Sequence, residues 1–386
     1  MRHDLLNTEL LLPESARMMQ SALRDFLTQQ RIVETIRTCN VKEEPIPRWL
    51  VTELAQLELF GASIHGYGCL ETDAYTYGII MQELERADSA LRSFASVHNA
   101  LVMYPISQFG SDAQKEYWLP LLRTTNAIGC FGLTEEYGGS NPAAMKTRAK
   151  RDGADYVLNG SKLWITNGTL ADVAVVWART QKGIRGFLVP KETKGFSATK
   201  ITGKWSLRAS VSAALFLDDC RVPRDSLLPG TEIGIKAALS CLNEARYGIA
   251  WGAIGAAEAC YETTLEFAKT RAPFGKPIAA TQLIQKYLVD MALGIANAKL
   301  LALQLARLKD EEKLTHYHIS AGKLHNVRVA CEVASRARSV LGAAGITYDM
   351  PVGAHLLNLE TVETYEGTEE IHILSLGKHL TGLNAF

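Results

Sequence analysis

The amino-acid sequence predicts a mostly α-helical fold with a β-domain inserted between two helical parts. Residues 1–128 carry short amphipathic patterns, and residues 129–231 carry β-branched runs separated by Gly, Asn and Asp. Residues 232–386 carry long Ala- and Leu-rich helical patterns. The order helix–strand–helix favours an inserted antiparallel β-domain over a βαβ sheet. We therefore expect an N-terminal helical domain, a middle antiparallel β-domain and a C-terminal four-helix bundle over these three ranges.

Glycine and proline divide the N-terminal part into short apolar-periodic segments. Pro13 stands where the first turn of a helix tolerates a residue without an N–H. Gly61 ends one segment, and a glycine-containing loop at 66–69 precedes the next. The helices predicted in this part span residues 13–27, 49–59, 75–86, 100–109 and 114–122.

The middle and C-terminal parts differ sharply in their periodicity. The strands predicted in the middle part span residues 156–162, 173–178, 186–190 and 212–217. The helices predicted in the last part span residues 233–268, 282–307, 314–343 and 357–380. No G-x-G-x-x-G follows a predicted strand, so the sequence does not indicate a Rossmann nucleotide site.

Composition and charge narrow the functional class. Of 386 residues, 47% are hydrophobic and 21% are charged, as in soluble globular proteins. The 41 basic residues balance the 41 acidic ones, so we expect neither nucleic-acid binding nor attraction to an anionic membrane. The seven cysteines lack CxxC spacing, which favours reduced thiols over disulfides or a metal site. With no signal peptide and no run of eighteen apolar residues, we expect a cytoplasmic protein without membrane insertion.

One carboxylate near the C-terminus is the candidate catalytic group. Glu366 lies between Tyr365 and Gly367, just before a helical pattern that begins near Ile371. A glutamate at a helix start is more often a solvated carboxylate near the positive end of the helix dipole. The pattern alone therefore leaves a structural role and a catalytic role open.

The segment Tyr365-Glu366-Gly367-Thr368 resembles the catalytic-base segment of the acyl-CoA dehydrogenases, which are flavoproteins that bind FAD. The chain end at 377–386 resembles the glutaryl-CoA dehydrogenase branch of that family in particular. The resemblance implies that Glu366 is the catalytic base, with Tyr365 and Gly367 beside the substrate. It also implies that Thr368 and Glu370 contact FAD.

Two blocks in the β-domain resemble the family's flavin-contacting segments. Residues 131–140 offer backbone N–H groups and hydroxyls, which suit a polar ring edge or a phosphate. Residues 164–167 pair an aromatic ring with a hydroxyl that the resemblance places beside the isoalloxazine. Alone, a Gly/Ser loop is usually a turn and a Trp in a strand is usually core. The implied cofactor contacts are Phe131, Leu133, Thr134, Gly139, Ser140, Trp164 and Thr166, of which Ser140 also faces the substrate.

A third block, in the C-terminal part, resembles the family's segment for the flavin diphosphate. Arg271 and Phe274, with Gln282 beyond them, are implied to reach the cofactor of a neighbouring subunit. A guanidinium can bind a diphosphate bidentately, although the same Arg could be a solvated residue before a turn. Gly342 and Ala343 are implied to lie near the adenosine half of FAD. The resemblance therefore implies a shared site and a homotetramer.

The substrate-selecting residues are implied by two further blocks. Leu242, Asn243 and Arg246 occur in a helix that resembles the wall of the acyl-CoA channel, although an interhelical Arg–Glu pair is an equally good structural reading. Arg92, with Ser93, matches the position that meets the far carboxylate of glutaryl-CoA. Glu85 matches the acid associated with that arginine. A charged run of this kind is ordinarily a solvent face, whereas a buried Arg needs an anionic partner.

The implied reaction is oxidative decarboxylation of glutaryl-CoA to crotonyl-CoA and CO2. Glu366 would take the α-proton, hydride would pass to flavin N5, and Arg92 would hold the substrate carboxylate. An electron-transfer flavoprotein would be the electron acceptor. Three alternatives stay open: a dehydrogenase of glutaryl-CoA or a related short acyl-CoA that does not decarboxylate, a dehydrogenase of a carrier-protein-bound acyl group, and a flavin-depleted scaffold protein.

Overall fold

The computed structural model describes residues 4–385. Residues 1–3 and 386, at the outer ends of the predicted first and third domains, lie outside the described residues. The predicted fold class is confirmed: helices come first, a β-domain follows, and long helices complete the chain.

Residues 4–128 contain seven α-helices, two more than predicted, because the helices at Gln30–Lys42 and Ser89–Ser96 were not recognised in the sequence. Asp88 has an extended backbone and ends α4, and its side chain accepts the Ala90 N–H to begin α5. A π-helix at Val97–Met103 continues α5 into α6. The helices are α1 Glu14–Leu27, α2 Gln30–Lys42, α3 Arg48–Gln56, α4 Ala74–Ala87, α5 Ser89–Ser96, α6 Tyr104–Phe109 and α7 Asp112–Arg123.

The middle part is a seven-stranded sheet in which β4 pairs with β1, β2 and β5. Four strand pairs are antiparallel as predicted, but β1 and β2 run parallel to β4, so the sheet is mixed. The short strands β1, β2 and β6 were not predicted, since five residues or fewer carry little periodicity. The strands are β1 Gly129–Gly132, β2 Arg148–Asp152, β3 Asp155–Thr166, β4 Val173–Thr180, β5 Gly183–Pro190, β6 Phe196–Lys200 and β7 Ser212–Val222.

Residues 232–385 contain five α-helices, because the predicted helix over 357–380 is broken into two. Glu366 and Gly367 adopt φ values of 54° and 105°, which no α-helix accommodates. The helices are α8 Ile235–Thr270, α9 Gln282–Asp310, α10 His316–Leu341, α11 Pro351–Thr364 and α12 Glu369–Thr381. By length and composition alone α9 could cross a membrane, but half of its apolar window is buried inside the protein. The absence of membrane insertion stays a prediction.

The two helical parts share one apolar core, and the β-domain has its own. The shared core joins Leu84 of α4 to Ile254 of α8, while Phe187 belongs to the core of the sheet. Helices α4 and α8 approach closely, because a Cβ on Gly255 would lie 1.9 Å from the carbonyl oxygen of Gln82. This close crossing brings α4, α5 and α8 together around the candidate site.

Candidate functional site

The turn between α11 and α12 holds Glu366. Thr368 caps α12 by accepting the Ile371 N–H at 3.4 Å, which fixes where the last helix begins. Glu366 itself has a left-handed backbone, uncommon for a residue with a side chain. Gly367 supplies the second positive φ, which glycine adopts readily. The turn therefore places Glu366 between α11 and α12, outside both helices.

The carboxylate of Glu366 lies in a low-dielectric, cationic environment. Its Oε2 atom is buried and has no hydrogen-bond partner among residues 4–385. Burial raises the pKa of Glu366, and the positive charges of Arg92, Lys323 and Arg246 oppose that rise. A carboxylate with a raised pKa and a free oxygen is suited to accept a proton from a bound molecule.

Arg92 lies on α5 with its side chain fully buried, next to the Glu366 turn. Its Nε donates to Glu85 Oε2, and the Glu85 side chain on α4 is equally buried. Its Nη2 donates to the Tyr365 hydroxyl, and its guanidinium carbon lies 5.3 Å from the centre of that ring. Its Nη1 is buried without a hydrogen-bond partner in the described part of the chain. The site therefore presents one unoccupied guanidinium donor beside the candidate base.

Packing fixes the Arg92–Glu85 pair against α8. A Cβ on Gly252 would lie 3.1 Å from Glu85 Oε2 and 3.3 Å from Arg92 Nε, so this glycine leaves room for the ion pair. Ser89 donates a hydrogen bond to the other oxygen of Glu85, while Ser93 is buried on the same helix as Arg92. The charged run, a pattern that ordinarily lies on a solvent face, is thus partly internal, and Arg92 has the buried anionic partner Glu85.

The helix α8 contributes Asn243 and Arg246 to the same site. Arg246 donates through Nε to the backbone carbonyl of Glu366 and through Nη1 to Asn243 Oδ1 at 3.3 Å. Burial lowers the pKa of Arg246, and the negative charge of Glu366 opposes that shift. The structural alternative of an interhelical Arg–Glu ion pair is replaced by a bond to the Glu366 backbone. Leu242, the third predicted residue of this block, is half-buried.

The flavin contacts predicted in the β-domain lie on β1, on β3 and in the loop after β1. We call this set of residues the flavin shelf. Phe131 and Leu133 are buried and Thr134 is half-buried, whereas Gly139 and Ser140 are exposed. This arrangement anchors the apolar start of the loop and leaves its glycine and hydroxyl groups free to contact another molecule.

Trp164 is the clearest sign that this shelf accepts a planar ligand. Its side chain is 60% exposed although it lies within β3, and its φ is 63°, where the register with β7 shifts. Thr166, two residues on, is half-buried. Lys162 donates to Glu135 at 2.8 Å and so ties β3 to the loop after β1. The general tendency of a strand Trp to lie in the core does not hold here, and an exposed indole at a bulge fits stacking on the implied isoalloxazine.

Six other predicted cofactor residues are exposed in this structure. The side chains of Arg271, Phe274, Gln282 and Glu370 are exposed, and Phe274 is 96% exposed. The 3₁₀ segment Gly342–Ile346 after α10 exposes both Gly342 and Ala343. None of the six residues forms a hydrogen bond or ion pair with Glu366 or Arg92 in the part of the chain described here.

Sequence reasoning missed two buried residues behind the turn. Lys323 on α10 is 1% exposed and donates to the carbonyls of Tyr365 and Gly367. His372 on α12 is also buried, with Nδ1 3.1 Å from Ser320 Oγ. A usable signal existed for the first: Lys323 is the only lysine of α10 and follows a Ser-Ala-Gly run on a buried face.

Comparison with known proteins agrees with this geometry. Family models for the acyl-CoA dehydrogenase N-terminal, middle and C-terminal domains match residues 13–126, 130–220 and 232–381. Short-chain specific acyl-CoA dehydrogenase of Homo sapiens mitochondria is 36% identical over 375 residues, covering 96% of this chain and 90% of that protein.

Solved structures give the same result. Glutaryl-CoA dehydrogenase from Mycobacterium smegmatis in complex with FADH2 has a TM-score of 0.97 and 48% identity, covering 100% of this chain and 99% of that one. Butyryl-CoA dehydrogenase from Megasphaera elsdenii has a TM-score of 0.91 and 31% identity, covering 96% and 98%. The protein therefore belongs to the acyl-CoA dehydrogenase family of FAD-dependent oxidoreductases that act on CH–CH bonds.

Proposed function

We propose that this enzyme converts glutaryl-CoA to crotonyl-CoA and CO2. The observation that carries the proposal is the fully buried Arg92, which has one free Nη1 donor and is bonded to Tyr365, the neighbour of Glu366. A buried guanidinium with an unused donor is suited to a ligand carboxylate, because a charge-assisted bond would satisfy it. A simple fatty acyl chain offers no such group.

Glu366 is the proposed base. Its free Oε2 takes the α-proton of the thioester, and its raised pKa makes it a stronger base than an exposed glutamate. FAD, when bound, supplies the two-electron chemistry by accepting the β-hydrogen as hydride. The residues proposed to hold it are Trp164, Thr166 and the loop that contains Thr134.

Decarboxylation would follow from the charges around the oxidised product. Loss of CO2 breaks the bond between the γ-carbon and the carboxylate, and the electron pair is delocalised into the thioester as a dienolate. Protonated Glu366 then returns its proton to the γ-carbon. Arg92 orients the carboxylate, and Glu85 weakens its grip by sharing the guanidinium, so that CO2 can leave.

Two partner proposals accompany this reaction. The exposed Arg271 and Phe274 favour a site completed by a neighbouring subunit, consistent with a homotetramer. An electron-transfer flavoprotein is the proposed acceptor, because reduced FAD must pass its electrons on before the next turnover.

A short-chain acyl-CoA dehydrogenase that releases no CO2 is the second candidate. Glu85 already neutralises Arg92, so the pocket does not require an anionic tail to balance a buried charge. Relatives named for short-chain acyl-CoA and butyryl-CoA substrates are consistent with this candidate.

Anaerobic titration separates the two candidates. The holoenzyme is mixed with glutaryl-CoA or butyryl-CoA while flavin absorbance and released CO2 are followed together. We expect glutaryl-CoA to bleach the flavin at lower concentration and to release one CO2 per flavin reduced. Equal bleaching by both thioesters without CO2 would favour the second candidate, and preferential bleaching by glutaryl-CoA without CO2 would indicate oxidation that stops at glutaconyl-CoA.

A further inference from the structure

The turn that carries Glu366 is held by two buried cations. Lys323 on α10 donates to the carbonyl oxygens of Tyr365 and Gly367. Arg246 on α8 donates to the carbonyl oxygen of Glu366 itself. Three consecutive backbone carbonyls therefore bond to two positively charged side chains from two different helices. An ammonium has three donors and no acceptor, so Lys323 can serve both of its carbonyls at once.

These bonds act on a turn whose backbone conformation is intrinsically unfavourable. Glu366 and Gly367 have consecutive positive φ values, and neither lies in a helix. A left-handed non-glycine residue persists when its surroundings over-determine it. The carbonyls that accept hydrogen bonds from Lys323 belong to the residues before and after Glu366, so this one side chain fixes the backbone on both sides of the base.

Lys323 also contributes charge to the site. The Glu366 carboxylate faces Arg92 from α5, Lys323 from α10 and Arg246 from α8, and its pKa is lowered by each of these cations. Burial, with the charges of Arg246 and Arg92 adding to it, lowers the pKa of Lys323 to about 7, and the carboxylates of Glu366 and, on α11, Glu363 oppose that shift. Lys323 is therefore charged on the acid side of neutrality. The Lys323 ammonium lies 5.9 Å from the centre of the Tyr365 ring.

The remaining neighbour is His372 on α12. Burial lowers the pKa of His372 to about 3, with the charges of Lys323 and Arg246 adding to that effect. Its ring is therefore neutral at physiological pH. His372 therefore does not supply the positive charge that the turn loses when Lys323 is substituted.

We propose that Lys323 is a positioning residue for proton abstraction: its ammonium fixes the left-handed turn and favours the ionised form of the Glu366 carboxylate. The proposal rests on Glu366 being the base but not on the identity of the acyl group. It assigns a role to α10, which otherwise contributes no side chain to the proposed chemistry.

The test compares holoenzyme variants in single-turnover flavin reduction at saturating acyl-CoA across pH. Lys323→Met removes both the bonds and the charge. We expect its limiting rate to fall about 10- to 100-fold, as for a misplaced catalytic group. We also expect the acid limb of the rate–pH profile to move to higher pH, because a carboxylate that loses a nearby cation holds its proton more tightly.

Two further variants make the result decisive. Lys323→Gln keeps two N–H donors without the charge, so it should retain more of the limiting rate at high pH while showing the same shift of the acid limb. Lys299→Met removes a partly buried lysine, which pairs with Glu258, and it should lower Tm without moving the acid limb. If Lys323→Met does not fold, the shift in Lys323→Gln decides.

An unchanged acid limb in the folded Lys323 variants would overturn the proposal, as would an equal shift in Lys299→Met. Each measurement is made with glutaryl-CoA and with butyryl-CoA. If glutaryl-CoA is not the substrate, the acid limb of the rate–pH profile can still be measured with butyryl-CoA. Failure of the substrate proposal and failure of the Lys323 proposal therefore give different results.

Discussion

Replacing the buried ion pair of Arg92 and Glu85 should remove selectivity for a substrate with a terminal carboxylate. Arg92→Met alone would leave the buried Glu85 with a hydrogen bond from Ser89 but without its cationic partner, and such an unpaired charge costs about 3–5 kcal/mol of stability. The informative variant is therefore Arg92→Met/Glu85→Gln. It removes both charges and keeps the volume of the pocket similar.

The size of the expected loss of selectivity follows from the Arg92 Nη1 donor, which has no partner in the described chain. A substrate carboxylate would therefore gain one new bond to a charged group. Such a bond is worth about 1.5–3 kcal/mol. Since 1.4 kcal/mol corresponds to about a factor of ten, the ratio of kcat/KM for glutaryl-CoA over butyryl-CoA should fall roughly 10- to 150-fold.

The assay is stopped-flow flavin reduction with both thioesters, with Tm as a check on folding. Lys299→Met/Glu258→Gln is the control, because it removes a different buried ion pair, between α9 and α8. The control should leave the ratio unchanged. An equal loss for both thioesters in the Arg92 variant, or an unchanged ratio, would refute the assignment of Arg92 to the substrate carboxylate.

Three further predictions concern the base, the helix crossing and the flavin shelf. Glu366→Gln should retain its yellow colour yet show no bleaching by any acyl-CoA, and bleaching at the wild-type rate would contradict its role as base. Gly255→Ala should lose about 2–3 kcal/mol of stability because its Cβ would meet Gln82, whereas Gly377→Ala, with open space around it, should gain about 0.5–1 kcal/mol in denaturant unfolding. Trp164→Ala should leave Tm nearly unchanged but raise the dissociation constant for FAD roughly 2- to 10-fold, measured by flavin fluorescence. An unchanged dissociation constant in that variant would show that the indole does not contact FAD.

The fold prediction was wrong at positions where contacts between distant segments, rather than local sequence, determine the structure. The start of α9 at Gln282 was predictable from apolar periodicity alone. The break between α11 and α12 was not, since a single glycine follows Glu366 and the turn depends on Lys323 and Arg246 from distant helices. The parallel pairing of β1 with β4 was likewise invisible, because the two strands are separated by more than forty residues.

The candidate site was predictable to the extent that local motifs carry it. The motifs named Glu366, Arg92, Glu85 and Arg246, and the structure brings these four residues together. Periodicity could not show that the charged run in α4 and α5 is buried, because burial there depends on a glycine of α8. No family motif indicated Lys323, because its hydrogen-bond partners are backbone carbonyls; the available signal was that it is the one lysine of α10.

The central claim, that Glu366 abstracts the α-proton, can be measured without any redox step. Holoenzyme reduced beforehand with dithionite cannot accept hydride, so in D2O only proton exchange on the bound acyl-CoA remains. We expect wild-type protein to introduce deuterium at the α-carbon of glutaryl-CoA, seen by NMR, and Glu366→Gln to introduce none. Equal exchange by both proteins would show that another group removes the proton.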